Sequence, residues 1–281
     1  MSQPEAPAAE ITITQRLVAV AAGHYELTAL VGGIGSDGRP GVATYTYARL
    51  AATIQAAATG LAWRGLRPAD VVGIYVPDAV SFVLAMHSVR AAGGVPTPVA
   101  HGLGAAEMAG QLAESGARML ITAPPLADQA MAAADRSWVR QVFSFGEAPG
   151  TTPFIDLLGR GIARPPRIGP RDPALLPFSR GQDGRLRPSP VSHAELAELT
   201  AAKTDLAGVI KRDVVVAAPP AGDGLNYSML VDSALFCGAT VVAARTEELA
   251  RQVAAYHGAA VIIPDGARVR LPARIRVLTA A

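Results

Sequence analysis

The stretch Ala174-Leu-Leu-Pro-Phe-Ser-Arg-Gly-Gln-Asp-Gly-Arg-Leu-Arg-Pro-Ser-Pro-Val-Ser-His193 decides how this chain is read. Ala174 to Phe178 is a short apolar run of strand character. A loop carrying Ser179, Gly181 and Gly184 follows it. Ser192, with Glu195 three residues on, is the signature of a capping box that opens a helix. A strand, a glycine loop and a capped helix are the parts of a phosphate cradle, whose backbone N–H groups face an anion. Arg187 adds a guanidinium able to pair with phosphate, whereas Asp183 adds negative charge. Pro188 and Pro190 remove backbone donors near the start of the helix.

Outward from this stretch, strands alternate with helices in both directions. On the N-terminal side we expect a helix from Ile11 to Ala29, a turn region from Gly32 to Gly41, and a helix from Tyr47 to about Leu66 capped by Thr46. A buried strand, Val71 to Val76, leads to a helix capped by Asp78 and ended by Gly93-Gly94. Helices at Gly104 to Glu114 and Pro125 to Ala134 alternate with strands at Met119 to Thr122 and Val139 to Phe145. On the C-terminal side come helix Ser192 to Ala207, strand Val214 to Ala218, helix Tyr227 to Cys237, strand Ala239 to Ala243, helix Thr246 to His257, and strands Ala260 to Ile263 and Ile275 to Thr279. The pattern predicts an α/β fold of two βαβ-type subdomains, with mostly parallel sheets flanked by helices. The Gly-, Pro- and Arg-rich segment from Gly159 to Pro173 divides residues 1–165 from 166–281.

The central stretch resembles the ATP-binding loop of the adenylate-forming acyl-CoA synthetase superfamily, nearest to its 4-coumarate–CoA ligase branch. That loop reads roughly Tyr-Ser-Ser-Gly-Thr-Thr-Gly-x-Pro-Lys-Gly-Val-x-x-(Thr/Ser)-His. Ser179, Gly181, Gly184, Ser192 and His193 stand in register with it, while Gln182 and Asp183 replace the threonines, Arg187 the lysine and Pro188 the following glycine. Thr46-Tyr47-x-x-Leu50, and Val71 to Asp78 with Gly93-Gly94-Val-Pro-Thr-Pro-Val99, also resemble the superfamily. The resemblance runs from Tyr45 to the last residue and covers about half the superfamily's length. It implies a shortened large domain without the adenine motif, the ribose-binding aspartate and the catalytic lysine.

By this resemblance Ser179, Arg180, Gly181, Gln182, Asp183, Gly184 and Arg187 form a degenerate phosphate loop. Ala218 to Tyr227 matches the segment that supplies a gate histidine and aromatic walls to the acyl pocket, with Asp223 at the histidine position. Asp223, Gly224, Asn226 and Tyr227 are then the candidate pocket residues, and His193, Asp223 and Tyr227 the catalytic candidates. A plain turn at Asp223-Gly224 and a packing role for His193 stand beside those roles. His101 is equally open between the two, and Cys237 reads as a buried structural thiol.

Composition narrows the classes. Net charge is +2 with no basic tract interleaved with aromatics, so nucleic-acid binding is not expected. One cysteine excludes an internal disulfide and a cysteine-rich metal site. No apolar run of about 18 residues exists, so no membrane span is expected, and Met1 to Glu10 lacks signal-peptide character, which points to the cytoplasm. We expect a degenerate relative that does not adenylate and needs no cofactor. It would bind or transform an acyl or aromatic small molecule in a specialised pathway, between Ser179–Arg187 and Ala218–Tyr227. A homodimer or partner protein would cover its open sheet edge. A pseudoenzyme partnering an active synthetase, or a residual ligase using ATP and CoA, are the alternatives.

Overall fold

The computed structural model describes residues 11–33, 43–159, 166–220, 224–264 and 267–280. In chain order, α1 (Ile13–Gly23) leads to β1 (Thr28–Val31), β2 (Thr44–Thr46) and α2 (Tyr47–Trp63). Next come β3 (Val71–Ile74), α3 (Ala79–Ala91), β4 (Val95–Pro98), α4 (Ala105–Ser115), β5 (Met119–Thr122), α5 (Ala127–Ala134), β6 (Gln141–Ser144) and β7 (Thr152–Pro153). The remainder is β8 (Pro173–Leu175), β9 (Phe178–Arg180), β10 (Leu186–Pro188), β11 (Val191–Ser192), α6 (His193–Ala207), β12 (Val214–Ala217), α7 (Gly224–Phe236), β13 (Thr240–Ala243), α8 (Leu249–Ala255), β14 (Ala260–Pro264) and β15 (Arg276–Ala280).

Among the described residues two main sheets form. One is five-stranded and parallel, in the order β4-β3-β5-β6-β7. The other is six-stranded, in the order β15-β14-β12-β13-β1-β2, and parallel except for β2. β1 and β2 therefore lie before the five-stranded sheet in sequence but belong to the six-stranded one.

Alternation along each strand divides the core. Val215 and Ala217 of β12 face a central cluster that also takes Ile74 and Ile121 from the five-stranded sheet. Val216 and Ala218 point the other way, into a layer under α8. α3 touches β3, β4 and β13, which belong to different sheets, and every residue from Ala79 to Arg90 is buried. A helix apolar on all sides is what a position between two sheets requires.

The expected caps form. Thr46 Oγ1 accepts Arg49 N–H at 3.2 Å, Asp78 Oδ1 accepts Ser81 N–H at 2.9 Å, and Ser192 Oγ accepts Glu195 N–H at 3.2 Å. Glu195 Oε2 reaches back to Ser192 N–H at 2.8 Å, closing the capping box.

Three expectations are corrected. The helix foreseen from Ile11 to Ala29 ends at Gly23, and Thr28–Val31 is a strand instead, because β13 offers it a parallel partner. The helices foreseen at Pro125 to Ala134 and Thr246 to His257 each begin with a single tight turn, Pro124–Leu126 and Thr246–Glu248, before α5 and α8. The strand foreseen from Ala174 to Phe178 breaks at Leu176-Pro177, where proline has no N–H to donate. β8 pairs with β11, and β9 starts a separate hairpin. The turn region foreseen from Gly32 to Gly41, and the subdomain boundary near Gly159, fall partly outside the described residues.

Candidate functional site

The glycine loop is a β-hairpin. Ser179 faces Arg187 across β9 and β10, and Gly184 takes φ 74° in the turn, a conformation glycine adopts without steric cost. Three of its backbone donors are engaged internally. Gly181 N–H donates to Arg185 O at 2.8 Å, Gly184 N–H to Gly181 O at 2.9 Å, and Arg185 N–H to Asp183 Oδ1 at 3.2 Å.

The hairpin's charges are engaged too. Arg187 donates to Asp183 Oδ2 at 2.7 Å, and Arg180 to Gly184 O at 2.7 Å and Glu107 Oε1 of α4 at 3.2 Å. The Arg187 hydrogen bond, and after it that from Arg185 N–H, holds the Asp183 carboxyl below its usual range. Gln182 is exposed at the tip. A shallow trough of about 710 Å³ lies between the hairpin and α4, lined by Glu107 and Glu114 as well as Arg180, Arg185 and Arg187. A phosphate cradle needs donors aimed outward. This hairpin turns the N–H groups of Gly181, Gly184 and Arg185 inward and sets two carboxylates beside the trough.

A second cavity, about 550 Å³, sits where the carboxyl ends of β1, β13 and β12 meet the end of β3. Open parallel sheets place ligands at this end of their strands, and the volume suits a small molecule. Gly32 and Gly33 line it with φ 104° and 98°. A Cβ on Gly32 would stand 3.2 Å from Ala243, and one on Gly33 3.1 Å from Val80, so side chains there would press on the cavity wall.

The polar groups of this cleft include Asp78, His101, Arg245, Glu247, Glu248 and Tyr256. Burial raises the Asp78 carboxyl above its usual range, against hydrogen bonds from Ser81 and Val80 that lower it. His101 Nε2 donates to Val76 O at 2.8 Å, and the ring stands edge-on to Tyr75 with centroids 5.3 Å apart. Burial lowers its pKa, so the ring is neutral and Nδ1 is left as an acceptor. Arg245 pairs with Glu247 at the rim.

The catalytic and pocket candidates fall elsewhere. His193 is 1% exposed, accepts Ile13 N–H on Nδ1 at 3.3 Å and has its pKa lowered to about 3, chiefly by burial and then by Arg90. Tyr227 is equally buried. Its hydroxyl donates to Ala218 O at 2.7 Å, its ring stands edge-on to Phe82, and burial raises its pKa well above the ordinary value. Asn226 Nδ2 donates to Thr279 O at 3.2 Å, which ties α7 to β15. Gly224 starts α7 so near Pro98 that a Cβ would lie 2.4 Å from the ring. Asp223 lies outside the described residues. Cys237 is half-buried beyond α7, with its pKa raised by burial. Among the described residues, the hairpin lines the trough against α4, whereas Pro219, after β12, lines the cleft with His101.

Sequence reasoning missed a buried polar row between α1, α3 and α7. Thr14 Oγ1 lies 3.0 Å from His87 Nδ1, and His87 Nε2 lies 3.0 Å from Asp232 Oδ1. Arg90 donates to Asp232 Oδ2 at 3.4 Å, to Ser228 Oγ at 3.2 Å and to Ala174 O at 2.9 Å. Burial pulls the Arg90 pKa down against the Asp232 charge. At Asp232 burial opposes ionisation, but His87, Arg90 and the Ser228 hydroxyl together hold the pKa below its usual value. A hydroxyl, an imidazole and a carboxylate in line have the composition of a nucleophile relay. Thr14 and His87 are 3% and 0% exposed, however, and neither lines the trough or the cleft, so the row acts as a core tie. No sequence signal marks it, since His87 and Asp232 lie 145 residues apart.

The model of one family, described as AMP-binding enzyme, matches residues 17–274. The chain belongs to that family. Among curated AMP-binding relatives, it is 29% identical over 221 residues to a salicyl-AMP ligase / salicyl-S-ArCP synthetase of Mycobacterium tuberculosis, covering 73% of this chain and 38% of that protein. It is 27% identical over 230 residues to 4-coumarate--CoA ligase-like 3 of Oryza sativa, covering 70% and 37%. Of solved structures, the apo MbtA of Mycobacterium smegmatis superposes with TM-score 0.77 at 25% identity, over 90% of this chain and 48% of that one. A long-chain-fatty-acid-CoA ligase of Archaeoglobus fulgidus gives 0.79 at 19% identity, over 93% and 53%, a likeness of fold. The chain thus spans well under half the length of these curated AMP-binding relatives and about half of the solved ones. Among the described residues no group of three or more His, Cys, Asp or Glu side chains is placed to hold a metal ion, and no helix is long and apolar enough to cross a membrane.

Proposed function

We propose that this AMP-binding family chain binds a small acyl or aromatic molecule in the 550 Å³ cleft at the carboxyl ends of its strands and does not itself form an acyl-adenylate. The observation that carries this reading is the hairpin. The N–H groups of Gly181, Gly184 and Arg185 close on the hairpin itself, and Arg187, at the position of the superfamily's phosphate-loop lysine, is held by Asp183 at 2.7 Å. Phosphoryl charge must be met by preorganised donors in the transition state, and inward-turned ones cannot meet it. The cleft supports the binding half. Apolar walls at Val31, Val242 and Ala243 surround a few polar groups, the usual make-up of a small-molecule site.

Calorimetric titration with aryl and fatty acids, beside ATP–pyrophosphate exchange, tests this reading. We expect acid binding without exchange, and loss of binding in Ala243→Phe, which fills the cleft. Exchange above background overturns the non-adenylating reading, and binding unaffected by Ala243→Phe overturns the site. The competing reading is an adenylating ligase whose remaining parts lie outside this chain, and the family match over residues 17–274 favours it. Exchange restored by an added partner protein would establish it. We also propose that β15, at the edge of the six-stranded sheet and carrying the half-exposed Val277, pairs with a second copy or a partner protein. Light scattering that gives the mass of one chain would remove the homodimer.

A further inference from the structure

We propose a second ligand site, for a phosphate monoester, at the amino ends of the five-stranded sheet, formed by Arg64, Arg118 and Arg140. Arg118 and Arg140 immediately precede β5 and β6. Arg140 N–H donates to Arg118 O at 2.8 Å, which sets the two residues side by side. Arg64 ends α2, and its carbonyl accepts Gln141 Nε2 of β6 at 2.9 Å, so the helix end is pinned over the same strand. All three arginines line one pocket of about 110 Å³, floored by Leu66, Val71 and Met119. A liquid water occupies about 30 Å³, so there is room for an oxyanion of several heavy atoms.

The charges point to an anion. None of the ion pairs among the described residues includes Arg64, Arg118 or Arg140. The carboxylate lining the pocket is Asp70, whose Oδ2 accepts Arg67 N–H at 2.8 Å within its own turn. Three guanidiniums against one carboxylate leave two positive charges in the pocket. That balance matches a phosphate monoester, which carries close to two negative charges above its second pKa of about 6. Guanidinium forks bind such oxygens in pairs, and a grouped set without counter-ions is stabilised by whatever anion enters.

Trp63 adjoins Arg64, Trp138 stands two residues before Arg140, and they are 69% and 64% exposed. This pocket opens at the end of the strands opposite the acyl cleft, since Val71 lines the one and Pro77 and Asp78 the other.

Trp63 and Trp138 are the chain's two tryptophans, and they adjoin Arg64 and stand two residues before Arg140, so indole fluorescence is used as the readout. The full chain is titrated at low salt with inorganic phosphate, glucose 6-phosphate and uridine monophosphate, with uridine as the uncharged control. We expect saturable change with the phosphates and none with uridine. Arg118→Gln and Arg140→Gln should each weaken binding about tenfold or more, and Arg118→Lys less. Tighter binding of uridine monophosphate than of inorganic phosphate assigns the ligand as a nucleotide, and equal binding assigns the free anion. No saturation at millimolar phosphate overturns the site. So does binding that survives the Arg118→Gln/Arg140→Gln double variant, or that is lost in Arg187→Gln instead. Thermal melts of each variant show that its fold is kept. Ala243→Phe should leave this binding intact, which separates failure here from failure of the acyl cleft.

Discussion

His193 keeps a position that the family resemblance marks, and the fold closes it away from solvent. Its ring is closed in the core against Ile13 N–H, with burial and Arg90 lowering the pKa, His87 adding to that, and Asp172 opposing it. The folded pKa, about 3, lies below the unfolded value of about 6.5. Below pH ~6.5 the unfolded chain takes up a proton that the native ring refuses, so the stability this residue contributes is full above pH ~6.5 and falls as pH drops toward the folded pKa. The slope for one such group is about 1.4 kcal/mol per pH unit. Urea unfolding of wild type and His193→Gln between pH 7 and 4 should therefore converge as the buffer becomes more acidic. Parallel curves would show that the ring titrates normally. The sequence carried the histidine's place in the motif. It carried nothing of the ring's burial, because the covering residue, Ile13, is 180 positions away.

Among the elements, those governed by neighbours in sequence were legible and those governed by distant partners were not. Thr46, Asp78 and Ser192 cap the helices expected of them because a cap is a contact across three residues. β1 continues a helical pattern in the sequence, and its strand state is set by β13 and by Thr240 Oγ1 donating to Thr28 O across 212 residues. The glycine loop showed its turn residues, but the pairing of Arg180 with Glu107 on α4 lay beyond any local pattern. Two predictions belong here. Ser192→Ala should destabilise the protein by about 1 kcal/mol through loss of the α6 cap, read as a lower melting temperature, and no change would mean that the helix start is held by packing alone. Asp183→Asn removes only an exposed ion pair, which solvent screens, so the melting temperature should hardly move while pyrophosphate binding at low salt increases. Unchanged pyrophosphate binding would show that the inward-turned backbone, rather than Asp183, keeps anions off the hairpin.

Across the whole molecule, the α/β class followed from the alternation of elements, but the way the two sheets share a core did not. β1 and β2 precede the five-stranded sheet in sequence yet pair within the six-stranded one, and α3 and α7 put Ile74, Ile121, Val241 and Ile262 into one cluster. The Arg90–Asp232 contact joins the same two helices under full burial, and Arg90 also holds Ala174 O ahead of the hairpin. Removing one partner of such a pair leaves a buried charge uncompensated, at about 3–5 kcal/mol. Asp232→Asn should cost that much and, since its contacts belong to both halves, lower the stability of both together. A shared core and a shared ion pair also predict one calorimetric transition, with calorimetric and van't Hoff enthalpies equal. Residues 1–165 expressed alone should lack a stable fold, because β1 and β2 lose β13. Two resolved transitions, or a folded 1–165 fragment, would show that the halves are independent and that the buried row is only a local tie.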